Sequence, residues 1–144
     1  MQTEEKNNFK VVTSIVPAVR NADTNGTGVD TQGYNSLTLF AVVGDSADTL
    51  SGTNKIEIEM EESDDNSSYT DVSNAEVEGY VSATNTGTFG LINAPTGDQT
   101  TFVGGYKGGK RYARPVLNFS GTHSTGTPIG VIGVLSNPKY PPAA

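Results

Sequence analysis

The residue types from which active sites are built are few in this chain, and their settings argue against catalysis. There is one histidine, His123, followed by Ser124 in the loop GTHSTGT (121–127). A serine nucleophile needs a base within hydrogen-bond reach and a third group to orient that base. Adjacent residues in a Gly/Thr/Ser loop supply no such orientation, so His123 is read as an ordinary surface histidine. The run EESDDNSSYTD (61–71) gathers oxygens of the kind calcium takes. Asp64, Asn66 and Ser68 fit three places of the EF-hand pattern, but Tyr69 stands where its glycine must turn the loop. A solvated hairpin tip is expected instead.

Carboxylates recur at Glu57, Glu59, Glu61 and Glu62. Paired carboxylates work on glycosides where an apolar pocket raises the pKa of one of them. Here alternation places them on a wet strand face. The stretch GGYKGGKRY (104–112) is glycine-rich and basic, yet it lacks the Walker spacing G-x-x-x-x-G-K-S/T. It reads as turn chemistry beside a basic cluster, since Lys107, Lys110, Arg111 and Arg114 hold four of the nine positive charges. Pairing with the acidic faces of neighbouring strands is the expected role, and a patch for an acidic partner surface is the alternative. No catalytic residue, metal ligand or cofactor site is assigned.

The elements that position these residues are strands. From Lys55 to Glu61 the sequence alternates without a fault: Ile56, Ile58 and Met60 on one side, Lys55, Glu57, Glu59 and Glu61 on the other. Strand side chains point to opposite faces with period two, which predicts one dry face and one wet, acidic face. Residues 64–68 are polar turn formers, and Tyr69 to Val72 is expected to return as the second strand of a hairpin.

Further strands are predicted at Phe9–Val19, with Pro17 confining it to an edge or bend, and at Ser36–Val43, which reads as buried because it is apolar on both faces toward its end. Others are expected at Ala75–Val81, Phe89–Ile92, Thr100–Tyr106, Lys110–Ser120 and Pro128–Ser136. Gly130 and Gly133 in the last strand permit close backbone approach. Asn25-Gly26 is a turn signal inside the connector 21–34.

Composition agrees with this picture. A chain of 144 residues makes one domain, and a hydrophobic fraction of 34% with 17 glycines suits an all-β fold rich in turns. The expected architecture is an antiparallel β-sandwich, jelly-roll-like, of seven to nine short strands with extended terminal arms. Residues 1–8 form an N-terminal arm, 9–136 the sandwich and 137–144 a proline-bound tail. Arms of this kind stay ordered when a neighbouring subunit or an exposed sheet edge holds them. The net charge of −7 disfavours nucleic acid and anionic membranes as partners, because both reward clustered Lys and Arg. There is no cysteine and no apolar run long enough to span a bilayer, and the start MQTEEKNNFK lacks the apolar core of a signal peptide. Synthesis in a cytoplasm is the expectation.

The motifs NGTGVD-x-x-GY (25–34), ESDDN-x-x-YTDV (62–72) and GY-x-G-x-KRYAR (105–114) run in an order, along nearly the whole chain, that resembles small structural proteins of tailed bacteriophages, the capsid decoration or cement proteins. That resemblance implies a non-enzymatic protein on the virion exterior, a homotrimer that stabilises the head by binding across neighbouring major capsid subunits. The interface candidates are Phe9, Val11 and Val12 in the arm region, Tyr34, the basic Lys110, Arg111 and Arg114, and Tyr140, Pro141 and Pro142 in the tail. The strand KRYARPVL is also similar to one in discoidin-type carbohydrate-binding modules. The alternatives are a glycan-binding virion surface module, with Tyr80, Tyr106 and Tyr112 as stacking platforms, or another head or tail structural component.

Overall fold

Alternating apolar residues build two antiparallel sheets that share one core. The computed structural model describes residues 4–143; residues 1–3 of the expected arm and Ala144 of the tail lie outside the described residues. The strands are β1 (Phe9–Arg20), β2 (Thr24–Asn25), β3 (Val29–Asp30), β4 (Tyr34–Val43), β5 (Lys55–Ser63), β6 (Thr70–Asp71), β7 (Val77–Glu78), β8 (Thr88–Ile92), β9 (Thr101–Tyr106), β10 (Tyr112–Ser120) and β11 (Thr127–Pro138). Only short 3-10 turns interrupt them, at Lys6–Asn8, Asn74–Glu76 and Pro95–Gly97. Among the described residues no helix is long and apolar enough to cross a membrane.

The first sheet runs β1-β11-β4-β9-β7. In the second, β10 pairs β5 along nine residues, β2 and β3 pair the free side of β10, and β8 and β6 share the free side of β5. This is the expected all-β sandwich. Its eleven strands exceed the expected seven to nine because four of them are two-residue pairings that composition does not announce. Pro115 explains how β2 and β3 come to be separate. It has no N–H to give a continuous partner, and its carbonyl takes the Gly26 N–H between the two short strands, at 2.8 Å. Asn25-Gly26 is therefore not a tight turn: Asn25 pairs Val116, and neither residue has positive φ.

The core lies between the sheets. Leu39, Ala41, Val43, Ile129 and Val131 come from the first, and Ile56, Ile58, Met60, Phe89, Ile92 and Leu117 from the second. Burial of this apolar area, at about 25 cal/mol per Å², is the main force holding the layers together. Gly104 makes it possible, since a Cβ there would sit 2.6 Å from the Phe89 ring.

Pro17 does fall on an edge strand, as expected, and packs on Gly130, where a Cβ would lie 2.7 Å from its ring. Two expected strands shrink. Only Thr70–Asp71 returns beside β5, and Ala75–Val81 reduces to Val77–Glu78 behind a 3-10 turn. The last strand, conversely, runs on to Pro138 opposite Tyr34. Beyond it, the Lys139 N–H bonds the Gly33 carbonyl (2.9 Å) and the Ala143 N–H bonds Asn7 (2.8 Å). The described parts of both termini are thus held by their own chain.

Candidate functional site

Sheet register decides what each layer shows to its surroundings. On the outer face of the first sheet, directly opposed residues form rungs across β1, β11, β4 and β9. One rung is Val11, Val134, Thr38 and Gly105; the next is Thr13, Ile132, Phe40 and Val103. Gly130, Val42 and Thr101 form a third, and Val19 sits opposite Pro128 beyond it. Across these four strands no residue of the rungs is charged; charge begins at Glu78 of β7, opposite Gly105. Val42 is 57% exposed, Val11 48% and Val103 46%. Pro17, Phe40, Val42, Pro128, Gly130 and Ile132 line a shallow groove of about 390 Å³ whose walls are almost wholly apolar. Contiguous apolar surface of this kind on a small protein marks an interaction site.

The second sheet is the opposite case, and it overturns the expected wet acidic face. Its rungs are Asn118, Glu57 and Leu91, then Val116, Glu59 and Thr88, then Arg114, Glu61 and Asp71. Glu57 is 1% exposed and Glu59 6%. The segment 82–85 covers Glu57. Its carboxylate takes the backbone N–H groups of Thr84 (2.8 Å) and Asn85 (3.2 Å), the Asn85 side-chain amide, and the Lys55 ammonium at 2.9 Å. Burial opposes ionisation of Glu57, but Lys55 and the amide donors outweigh it and hold its pKa below the ordinary value.

Glu59 has no such set. The Asn118 side-chain amide beside it is the one donor that favours its charged form, and no cation pairs with it among the described residues. Burial pushes its pKa up to about 7; Asn118 opposes the rise, and the Asp71, Glu61 and Glu57 charges add to it. Next along the strand, both Arg114 nitrogens meet Glu61 Oε2, at 2.6 and 2.7 Å, and the same guanidinium lies 3.9 Å over the Tyr69 ring. One strand face therefore holds a carboxylate paired with a cation at each end and, between them, one that only an amide supports.

The residues expected from sequence fall into two groups. Tyr34 joins Lys110 and Tyr106 along one groove and Lys10, Pro138 and Tyr140 along another, so a single end of the sandwich carries Tyr34, Lys110 and Tyr140. Arg111 is beside them, paired in bidentate fashion with Asp30 (2.9 and 2.7 Å). Pro141 lines a neighbouring groove with Glu5 and Asn8, Pro142 is exposed, and Tyr140 is 86% exposed. Phe9 and Val11 lie at the start of the edge strand, partly open, while Val12 packs against the core. Arg114 is remote from that end group in role, being committed to Glu61. Each of the four cluster cations has an acidic partner, with Lys107 on Glu78 and Lys110 on Glu62.

Of the three tyrosines considered as stacking platforms, Tyr80 is 38% exposed. Tyr106 is half-buried with its hydroxyl donating to Glu62 at 2.7 Å, and Arg111 lies 5.0 Å over Tyr112. His123 is a correction: it is buried, not a surface residue. Its Nε2 bonds the Ser120 carbonyl at 2.9 Å and its ring meets Phe119 edge-on, while Nδ1 has no hydrogen bond and stands 3.9 Å from Asp48. Asp48 accepts the Thr125 and Gly126 N–H groups, which fix the loop and lower its pKa. Ser124 is exposed and makes no bond to the ring. At the hairpin tip, Asp65 accepts the N–H groups of Ser68 and Ser67 and the Ser63 hydroxyl, as a turn former does, and Asp64, Asn66 and Ser68 are exposed, as expected of a solvated tip.

Comparison with protein-family models, with curated proteins and with solved structures gives no match. Two features escaped the sequence reading. The apolar outer face shows in Ser36–Val43, whose apolar residues on both sides predict burial on both; in the structure Leu39, Ala41 and Val43 are covered and Val42 is open. The buried acids carried no local signal, because a loop of residues distant in sequence covers them.

Proposed function

We propose that this chain is a non-enzymatic virion structural protein that decorates a bacteriophage head, binding from outside as a homotrimer across neighbouring major capsid subunits. The uncharged apolar outer face of the first sheet carries this reading. A chain of net charge −7 repels its own copies and other acidic surfaces through most of its exterior. It associates at least cost where no charge must be stripped of water, and the Val11, Phe40, Val42, Val103 and Ile132 rungs offer that surface. The sandwich end with Tyr34, Lys110, Arg111, Tyr140, Pro141 and Pro142, and the edge residue Phe9, extend the contact; Val12 and Arg114 act within the fold. Many modest contacts repeated over a symmetric shell add up to tight retention.

The test uses shells assembled from the major capsid protein of the same virion. The full chain is expected to co-sediment at a fixed ratio and to have the native mass of a trimer in solution. Val42→Asp and Ile132→Asp are expected to abolish co-sedimentation while the circular dichroism stays that of the parent. Deleting residues 1–8 is expected to weaken binding and leave the fold intact. Absence of the parent chain from the pelleted shells overturns the proposal.

A further inference from the structure

We infer that Lys55 and Asn85 join in an intramolecular amide bond that ties β5 to the segment 82–85, with Glu57 carrying the protons. Such a bond needs an amine, a side-chain amide and a shielded proton carrier, and here one carboxylate holds the other two groups. Glu57 Oε1 accepts the Lys55 ammonium at 2.9 Å, and Oε2 accepts the Asn85 side-chain amide. Among the described residues no other carboxylate is hydrogen-bonded to both a lysine and an asparagine side chain.

Register and loop path bring the three together. Lys55 and Glu57 are two residues apart on one face of β5, so their side chains are neighbours. Asn85 is half-buried, and its backbone is pinned twice: its N–H donates to Glu57 Oε2 at 3.2 Å, and its carbonyl takes the Thr88 hydroxyl at 2.8 Å. Thr84 completes the hold. Its N–H meets Glu57 Oε1 at 2.8 Å, and its hydroxyl accepts the Lys55 ammonium at 2.7 Å. Amine and amide are thus anchored on the same carboxylate and the same stretch of chain, which removes the entropy cost of bringing two reactants together.

The site is also dry. The Glu57 side chain is 1% exposed and that of Lys55 17%. Removal of water penalises both charges of the pair, so passing a proton from the ammonium to the carboxylate costs less here than in solution. The freed amine is a nucleophile and attacks Asn85 Cγ. The Nζ–Cγ bond forms and the Cγ–Nδ2 bond breaks. Two of the three ammonium protons pass by way of Glu57 to the departing nitrogen, which leaves as an ammonium ion, and the carboxylate is regenerated. Charge and atoms balance without an oxidant or a reductant.

The experiment reads the intact mass of the denatured full chain by mass spectrometry, then its peptides. The parent is expected to be lighter than its sequence by one ammonia. Trypsin, which does not cut after an acylated lysine, is expected to release a branched peptide joining Lys55 to Asn85. Lys55→Arg, which keeps a cation on Glu57, and Asn85→Ala and Glu57→Gln are each expected to abolish the branched peptide and the ammonia loss. Lys55→Arg is also expected to lower the unfolding midpoint, because a cross-link restrains the unfolded chain. Lys107→Arg, at the exposed pair with Glu78, is expected to keep the bond. If Glu57→Gln does not fold, Lys55→Arg decides. A parent chain of full mass, an ammonia loss that persists in Lys55→Arg, or absence of the branched peptide in Lys107→Arg overturns the cross-link.

Discussion

The outer faces of the two sheets come from the same kind of alternating strand and end in opposite states. On the first sheet, valines, a phenylalanine and an isoleucine stand in charge-free rungs with nothing over them. On the second, carboxylates that alternation assigns to water are covered, and a lysine and an arginine neutralise two of them. The difference teaches that period-two patterning fixes which residues share a face, while the loops fix whether that face is wet. The segment 82–85 crosses Glu57 and brings two backbone N–H donors with it. Among the described residues no loop crosses Val42, which is 57% exposed. The same contrast recurs between Glu57 and Glu59, two residues apart, one supplied with backbone donors and a lysine and the other with the Asn118 amide alone.

Substitutions sharpen this comparison. Glu57→Ala has the largest expected effect, about 3 kcal/mol of lost stability in urea denaturation, because it removes the buried acceptor shared by Lys55 and the Thr84 and Asn85 donors. Loss of less than about 1 kcal/mol would mean that segment 82–85 lifts off easily and the face is wet after all.

Glu59→Gln is expected to act in the opposite direction. A carboxylate whose folded pKa, about 7, exceeds its unfolded value of 4.5 makes no penalty below pH 4.5. It destabilises progressively as pH rises, fully above about 7. The variant should therefore be more stable than the parent at pH 8 by about 1–2 kcal/mol, after discounting for water at the rim, with the gain vanishing at pH 4. A gain independent of pH would sink that account.

Val42→Asp, on the apolar face, is expected to change monomer stability by no more than about 0.5 kcal/mol, since its side chain already meets solvent. Its effect belongs to association, read as native mass. The smallest effect is expected for Lys107→Ala: Lys107 and Glu78 are 53% and 75% exposed at their side chains, so the unfolding midpoint should not move measurably.

Much of the fold was legible because strand alternation is local. The Ile56, Ile58 and Met60 side of β5, the edge position of Pro17 and the close approach over Gly130 all follow from residue type and spacing. The two-residue strands were not legible, since β2, β3, β6 and β7 exist only where a longer partner offers free backbone groups. His123 shows the same limit. Its loop composition suggests exposure, yet Asp48, from a loop far away in sequence, stands against it, while nearby Phe119 meets its ring edge-on.

By itself the sequence determined an all-β chain, its longer strands and which side chains lie on a common face, because those depend on backbone geometry with a period of two residues. The tertiary structure alone decided that the acids of β5 lie under cover, that Glu61 and Asp71 meet across a rung, and that one apolar face stays open. Those outcomes depend on which distant segments come to rest against each face, and desolvation and charge pairing act only once they have done so.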